Sequence, residues 1–198
     1  MIENHREIFT ALFPQFMRHW DIAVRYFTYK KFPEKKVLLR EGERAKTLFL
    51  IISGCIRAYL IKENGKEVTT QFFFEGQMIA SAESFITSTP SDLFIETIEE
   101  TEVIMISNRN FIELMKHVDP MKEGLLGFMK DRLIYYMKLH TSYIMDSPEE
   151  RYVRLVDEQP LIIERVPHHY IASFLGITAV SLSRIRGRLI RKGCINKS

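Results

Sequence analysis

Seven basic side chains, Arg165, Arg184, Arg186, Arg188, Arg191, Lys192 and Lys197, fall within residues 165–198, a stretch that holds no Asp or Glu. Residues 1–164 hold 21 Lys/Arg and all 25 Asp/Glu, so the net charge of +3 hides a body at −4 and a basic end. Clustered Lys and Arg gain free energy by releasing counterions from phosphates, so this end points to a polyanion. A solvated basic tail is the bland alternative. Other chemistries find little support. Cys55 and Cys194 are the only cysteines, too few for a disulfide framework or a four-thiolate cluster. No histidine stands between His19 and His117, so strands in that interval carry no His cluster for a cupin-like metal centre. No catalytic residue, metal or cofactor is expected.

The basic end has its own local architecture. Pro167 can open a helix whose apolar stripe is Tyr170, Ile171, Phe174 and Leu175, and Gly176 suits the turn that ends it. Thr178 can cap a second helix with Leu182, Ile185 and Leu189 facing inward. That leaves Ala179, Val180, Ser183 and Arg184 outward near the helix start, with Arg188 and Arg191 extending the face. Helix, short turn and helix is the layout of a helix-turn-helix, whose second helix presents such side chains to base edges.

Upstream elements must hold this unit in place. The first 30 residues read as short helices from Ile8, Leu12, Phe16, Trp20, Ala23 and Phe27, interrupted by Pro14. Short apolar runs follow at residues 37–40, 48–52, 56–62, 68–74, 95–98 and 103–106, punctuated by Gly42, Gly54, Gly65 and Gly76. Asn64-Gly65 is a hairpin turn, and the even spacing predicts a sandwich, barrel or jelly roll over about residues 34–107. Phe111, Ile112, Leu114 and Met115 predict a short helix. Leu126, Met129, Leu133, Tyr136, His140 and Tyr143 then recur at heptad spacing, with Leu125, Phe128, Tyr135 and Leu139 as a second stripe. The first seam fits a second copy of the helix. Ser147, Pro148 and Glu150 form a capping-box signature for a helix reaching about Gln159-Pro160, and Leu161-Ile162-Ile163 reads as a short strand.

Over nearly its whole length the chain resembles the Crp/Fnr family of bacterial transcription factors. The β-roll segments that carry the likeness are Leu39-Arg40-Glu41-Gly42-Glu43, residues 48–54 and Asn64-Gly65-Lys66-Glu67-Val68. The DNA-binding stretch is residues 166–178, followed by Leu182-Ser183-Arg184-Ile185. The resemblance implies an α+β chain: an N-terminal β jelly roll of cyclic-nucleotide-binding type, a long dimerisation helix, and a C-terminal winged helix-turn-helix whose wing is truncated to Cys194-Ile195-Asn196. The implied domains are 1–118, 119–145 and 146–198.

It also implies roles. Ala179, Val180, Ser183 and Arg184 would read bases, with Arg184 on guanine. Val180 stands where the family has a glutamate, which leaves apolar contact with a thymine methyl and departs from the family's usual half-site. His168, His169, Thr178, Arg188 and Arg191 would touch phosphates. The effector pocket would fall at Ser81, Glu83, Ser91 and Asp92. No Lys or Arg lies between Glu67 and Arg109, so a cyclic phosphate finds no local cation, and cyclic AMP and cyclic GMP are expected not to bind. The expected function is a cytoplasmic, homodimeric, sequence-specific DNA-binding transcription regulator. Its partners would be double-stranded DNA at a palindromic operator, RNA polymerase and an unidentified small-molecule effector, with no membrane. The rival is a ligand-binding β-roll module whose basic tail docks to another protein.

Overall fold

A computed structural model of the chain describes residue 7, residues 20–117 and residues 120–195, with the backbone alone for residues 120–123. The expected helical positions Ile8, Leu12 and Phe16, and Asn196 of the expected wing, lie outside the described residues. The described chain opens on α1 (Trp20–Ala23), which buries Trp20 and Ala23, and a 3-10 turn (Val24–Tyr26). Phe27 does not continue the helix. It begins strand β1 (Phe27–Phe32), whose Lys30 and Lys31 disguise it in sequence as a surface segment, as lysines on edge strands do.

The expected runs become β2 (Val37–Leu39), β3 (Thr47–Ser53), β4 (Ile56–Ile61), β5 (Glu67–Phe73), β7 (Phe94–Thr97) and β8 (Thr101–Ser107). Two further elements lie between them, β6 (Met78–Ile79) and α2 (Ala82–Thr87). The strands make two four-stranded sheets, β1-β8-β3-β6 and β2-β7-β4-β5, the double-sheet layout of a jelly roll. Register is tight: Leu50 faces Ile104 and Thr28 faces Met105, and a bulge between Ile51 and Ser53 shifts the β3–β8 ladder before its last pair, Ser53 with Glu102. At Gly54 (φ +107°) the turn into β4 passes so close to Thr101 that any Cβ would sit within 2.5 Å of its Oγ1. Phe32, Phe49, Ile51, Ile56, Phe73, Ile95 and Val103 fill the core. The Asn-Gly hairpin forms as expected: Gly65 N–H donates to Lys62 O at 2.8 Å and Lys66 N–H to Asn64 Oδ1 at 3.1 Å.

Helices follow: α3 (Asn108–His117), α4 (Pro120–Met145), α5 (Pro148–Glu158), α6 (Pro160–Arg165), α7 (His168–Phe174) and α8 (Ala179–Arg191). The capping box at α5 is complete, Ser147 accepting from Glu150 N–H and Glu150 from Ser147 N–H. That carboxylate is held below its usual range chiefly by the Ser147 hydrogen bonds. Leu161-Ile162-Ile163 is helical rather than a strand. Pro160 in the first turn presets the helical φ, and burial of Ile162 outweighs the β preference of the isoleucine pair.

The chain divides into two compact units, one from residues 1–58 and 72–131, the other from Tyr59–Gln71 with residues 132–198. The second unit thus combines the outer part of the β4–β5 hairpin, the later half of α4 and all of α5 to α8.

Candidate nucleic-acid interface

In the second unit, Ile171, Ala172, Phe174 and Leu175 of the α7 segment are buried, as are Leu182, Ile185 and Leu189 of α8. The turn between the helices runs through Gly176 at φ +72°, a left-handed conformation that glycine adopts without strain. Thr178 caps α8, its Oγ1 accepting from Ser181 N–H at 3.1 Å. Ser173 on α7 is tied to the β5 edge. Its Oγ accepts from Thr69 N–H at 3.0 Å and donates to Glu67 O at 2.9 Å.

With the apolar stripe inward, helical periodicity sends Val180, Arg184, Gly187 and Arg191 to the outer pole, flanked by Ser183. All five are exposed, Val180 at 61%. Ala179 is exposed on the flank. The four arginines of α8 differ in their circumstances. Arg188 Nε donates to Glu149 Oε2 at 3.0 Å, and Lys192 lies 3.8 Å from the same carboxylate, so Arg188 is engaged by α5. Arg186, whose orientation the sequence reading left unassigned, hydrogen-bonds His168. Burial first and the Arg186 charge second push the His168 imidazole below its usual range, so it meets Arg186 as a neutral acceptor. His169 is exposed, with its ring 3.9 Å from that of Tyr170. Arg184 and Arg191 have no partner among the described residues. Beyond Arg191, residues 192–195 form a turn and bend with no strand, Gly193 at φ +69° closing the helix.

All six residues of the expected α4 seam, Leu126, Met129, Leu133, Tyr136, His140 and Tyr143, are exposed, Tyr136 at 48% and Tyr143 at 40%. Tyr136 donates to Gln71 Oε1 at 3.0 Å, beside Arg132 at 2.6 Å from the same oxygen. Tyr143 donates to Phe174 O and lies under the Arg151 guanidinium, 4.9 Å from the ring centre. Both hydroxyls are spent within the second unit, and burial raises the Tyr143 pKa. Met137 and Ile144, 62% and 66% exposed, widen the stripe beside them. Met137 and Ile144 each lie one residue, roughly a quarter turn, beyond the tyrosines, and counting at 3.6 rather than 3.5 residues per turn finds them.

In the first unit the four expected effector residues differ in burial. Ser81 and Ser91 are buried, whereas Glu83 and Asp92 are exposed. Ser91 Oγ serves Leu93 alone, donating to its carbonyl and accepting from its N–H, both at 3.0 Å. The buried hydroxyl that organises this region is Ser84, which accepts from Ala45 N–H at 2.8 Å and donates to Thr89 O at 2.5 Å. The buried cation is Arg57 on β4, 1% exposed, with Nε and Nη2 donating to Glu96 Oε2 at 2.9 and 2.7 Å. Among the described residues no cluster of three or more His, Cys, Asp or Glu could hold a metal, and no helix is long and apolar enough to cross a membrane.

Residues 29–118 match the family model of the cyclic nucleotide-binding domain. The cyclic AMP receptor protein of Thermus thermophilus is 19% identical over 179 residues, covering 88% of this chain and 82% of that protein. The cAMP-activated global transcriptional regulator CRP of Salmonella typhimurium is 28% identical over 86 residues, 43% of this chain and 41% of that protein. Among solved structures, the c-di-GMP responsive global regulator CLP of Xanthomonas campestris superposes with a TM-score of 0.73 at 17% identity, over 96% of this chain and 95% of that one. Residues 29–118 therefore carry the cyclic nucleotide-binding domain. With the long helix and helix-turn-helix that follow it, the chain shares its fold with the CLP regulator.

Proposed function

We propose that the chain is a transcription regulator that binds double-stranded DNA as a homodimer, with α8 as the recognition helix. The observation that carries this reading is the outer pole of α8, where Arg184 and Arg191 are exposed and without a partner among the described residues, in a stretch, residues 165–198, without one carboxylate. Arg184, in the second turn, is placed to read guanine, and Val180, in the first, to meet a thymine methyl. Arg191, two turns further on, suits a phosphate.

Residues 1–118 act as the sensor domain, 119–145 as the dimerisation helix and 146–198 as the DNA-binding domain. The exposed stripe Leu126, Leu133, Met137 and Ile144 supports pairing with a second copy of α4, which sets two recognition helices about one turn of DNA, ~34 Å, apart for a palindromic operator. Cyclic AMP is not its effector in this reading, because the buried Arg57 is committed to Glu96 and Asp92 adds a negative charge nearby in sequence. A different small molecule, RNA polymerase and a cytoplasmic setting complete the picture.

A mobility shift on duplex DNA at two salt concentrations tests the reading. Binding that weakens steeply with salt is expected. Absence of any shift, with capture of a protein partner by the basic end, would favour the docking module instead.

A further inference from the structure

Gly187 stands at the outer pole of α8, in the row of Val180, Arg184 and Arg191 and opposite the buried Leu182, Ile185 and Leu189. Glycine is among the poorest helix formers, so a mid-helix glycine needs a reason. The fold supplies none. The backbone there is helical, unlike the glycines at positive φ, and Gly193, not Gly187, closes α8. A Cβ built on Gly187 meets nothing within 4 Å, so alanine fits without displacing any described side chain. Gly187 also lies on a groove of about 380 Å³ that it shares with His168, Ala179, Ser183, Arg186 and Ile190. The bare backbone is therefore turned outward, between the two arginines that have no partner among the described residues.

We infer that Gly187 is the point of closest approach between α8 and DNA, a notch that admits the sugar–phosphate wall of the major groove. This rests on the reading of α8 as the recognition helix. A helix with its side chains is about 10–12 Å across and the major groove about 12 Å wide, so one missing side chain at the outer pole decides how deep the helix sits. With the notch open, Val180 and Arg184 reach base edges while Arg191 reaches a phosphate. With the notch filled, the helix rides outward and all three contacts lengthen together.

Gly187→Ala opposes two readouts, because the change favours the helix and obstructs the ligand. The variant should melt higher, by about 2–4 °C. It should bind selected operator and scrambled duplex alike about tenfold more weakly. Gly187→Leu should weaken both further. Wild-type binding with Gly187→Ala binding as tightly, while Arg184→Ala loses affinity, would overturn the notch and leave the recognition-helix reading intact. A lower melting point for Gly187→Ala would show that the glycine serves the fold, and would also overturn it. A wild type that shifts no DNA would overturn both.

Discussion

Arg57, on β4 of the roll, is almost wholly buried and donates twice to Glu96, whereas Arg184, on α8, is exposed and without a partner among the described residues. The contrast extends to their neighbours. Ser84 and Ser91 of the roll give their hydroxyls to nearby backbone, and of the expected effector residues the serines are buried and the carboxylates out in solvent. On α8, Arg186 and Arg188 are held by His168 and Glu149 at the flanks, and the pole is left to Val180, Arg184, Gly187 and Arg191. Charge that is bonded within the chain shapes the fold. Charge left at a surface with no internal partner, in a segment without acids, is available to something outside it.

The comparison breaks most visibly at Glu96. Removing this carboxylate takes the ionic partner from a buried guanidinium, so Glu96→Ala should cost about 3–5 kcal/mol of stability by chemical denaturation. A loss below about 1 kcal/mol would show that water reaches Arg57 and that the roll is open enough to take an anion there. Leu133→Glu places a charge in the exposed apolar stripe of α4. Sedimentation should report a shift from dimer to monomer with the melting curve of the isolated chain little changed, since Leu133 is 60% exposed in one copy. A wild type that sediments as a monomer would contradict the pairing of α4.

Smaller effects sharpen the distinction within α8. Glu149→Gln frees Arg188, and because the pair is exposed its loss should cost at most about 1 kcal/mol of stability. The salt slope of DNA binding should steepen by about one charge per subunit. An unchanged slope would mean that Arg188 lies outside the footprint. His168 gives a pH signature. Its pKa is lowered in the folded protein, so the folded state binds fewer protons there than the unfolded chain. That contribution is present above the ordinary imidazole pKa and is lost as pH falls towards the depressed value. Between about pH 7 and pH 5 wild-type stability should fall more steeply than that of His168→Gln.

The β roll was largely legible because alternating apolar runs and an Asn-Gly turn have few other uses. Strands β2 to β5, β7 and β8 fall within a residue or two of the runs that announced them. β1 was hidden because Lys30 and Lys31 interrupt its pattern, β6 because two residues carry no period, and the isoleucines of α6 because local β preference lost to tertiary burial. Both helices of the helix-turn-helix and their caps were readable from Pro167, Gly176 and Thr178. Partner choice was not. Nothing in one-dimensional spacing says that Glu149 takes Arg188, that His168 takes Arg186, or that Tyr136 and Tyr143 spend their hydroxyls on Gln71 and Phe174. Those are long-range pairings, and they decide which members of a basic or apolar stripe remain available.

The central claim is that α8 reads bases with Arg184 and holds the backbone with Arg191. It is tested most directly by measuring both alanine variants on a selected operator and on scrambled duplex at two salt concentrations. Arg184→Ala should cost about 1–3 kcal/mol on the operator, relax preference at one base pair per half-site and leave scrambled DNA nearly untouched. Arg191→Ala should weaken both duplexes alike and flatten the salt slope by about one charge per subunit. Equal losses on operator and scrambled DNA for Arg184→Ala would make it a backbone contact and contradict the account.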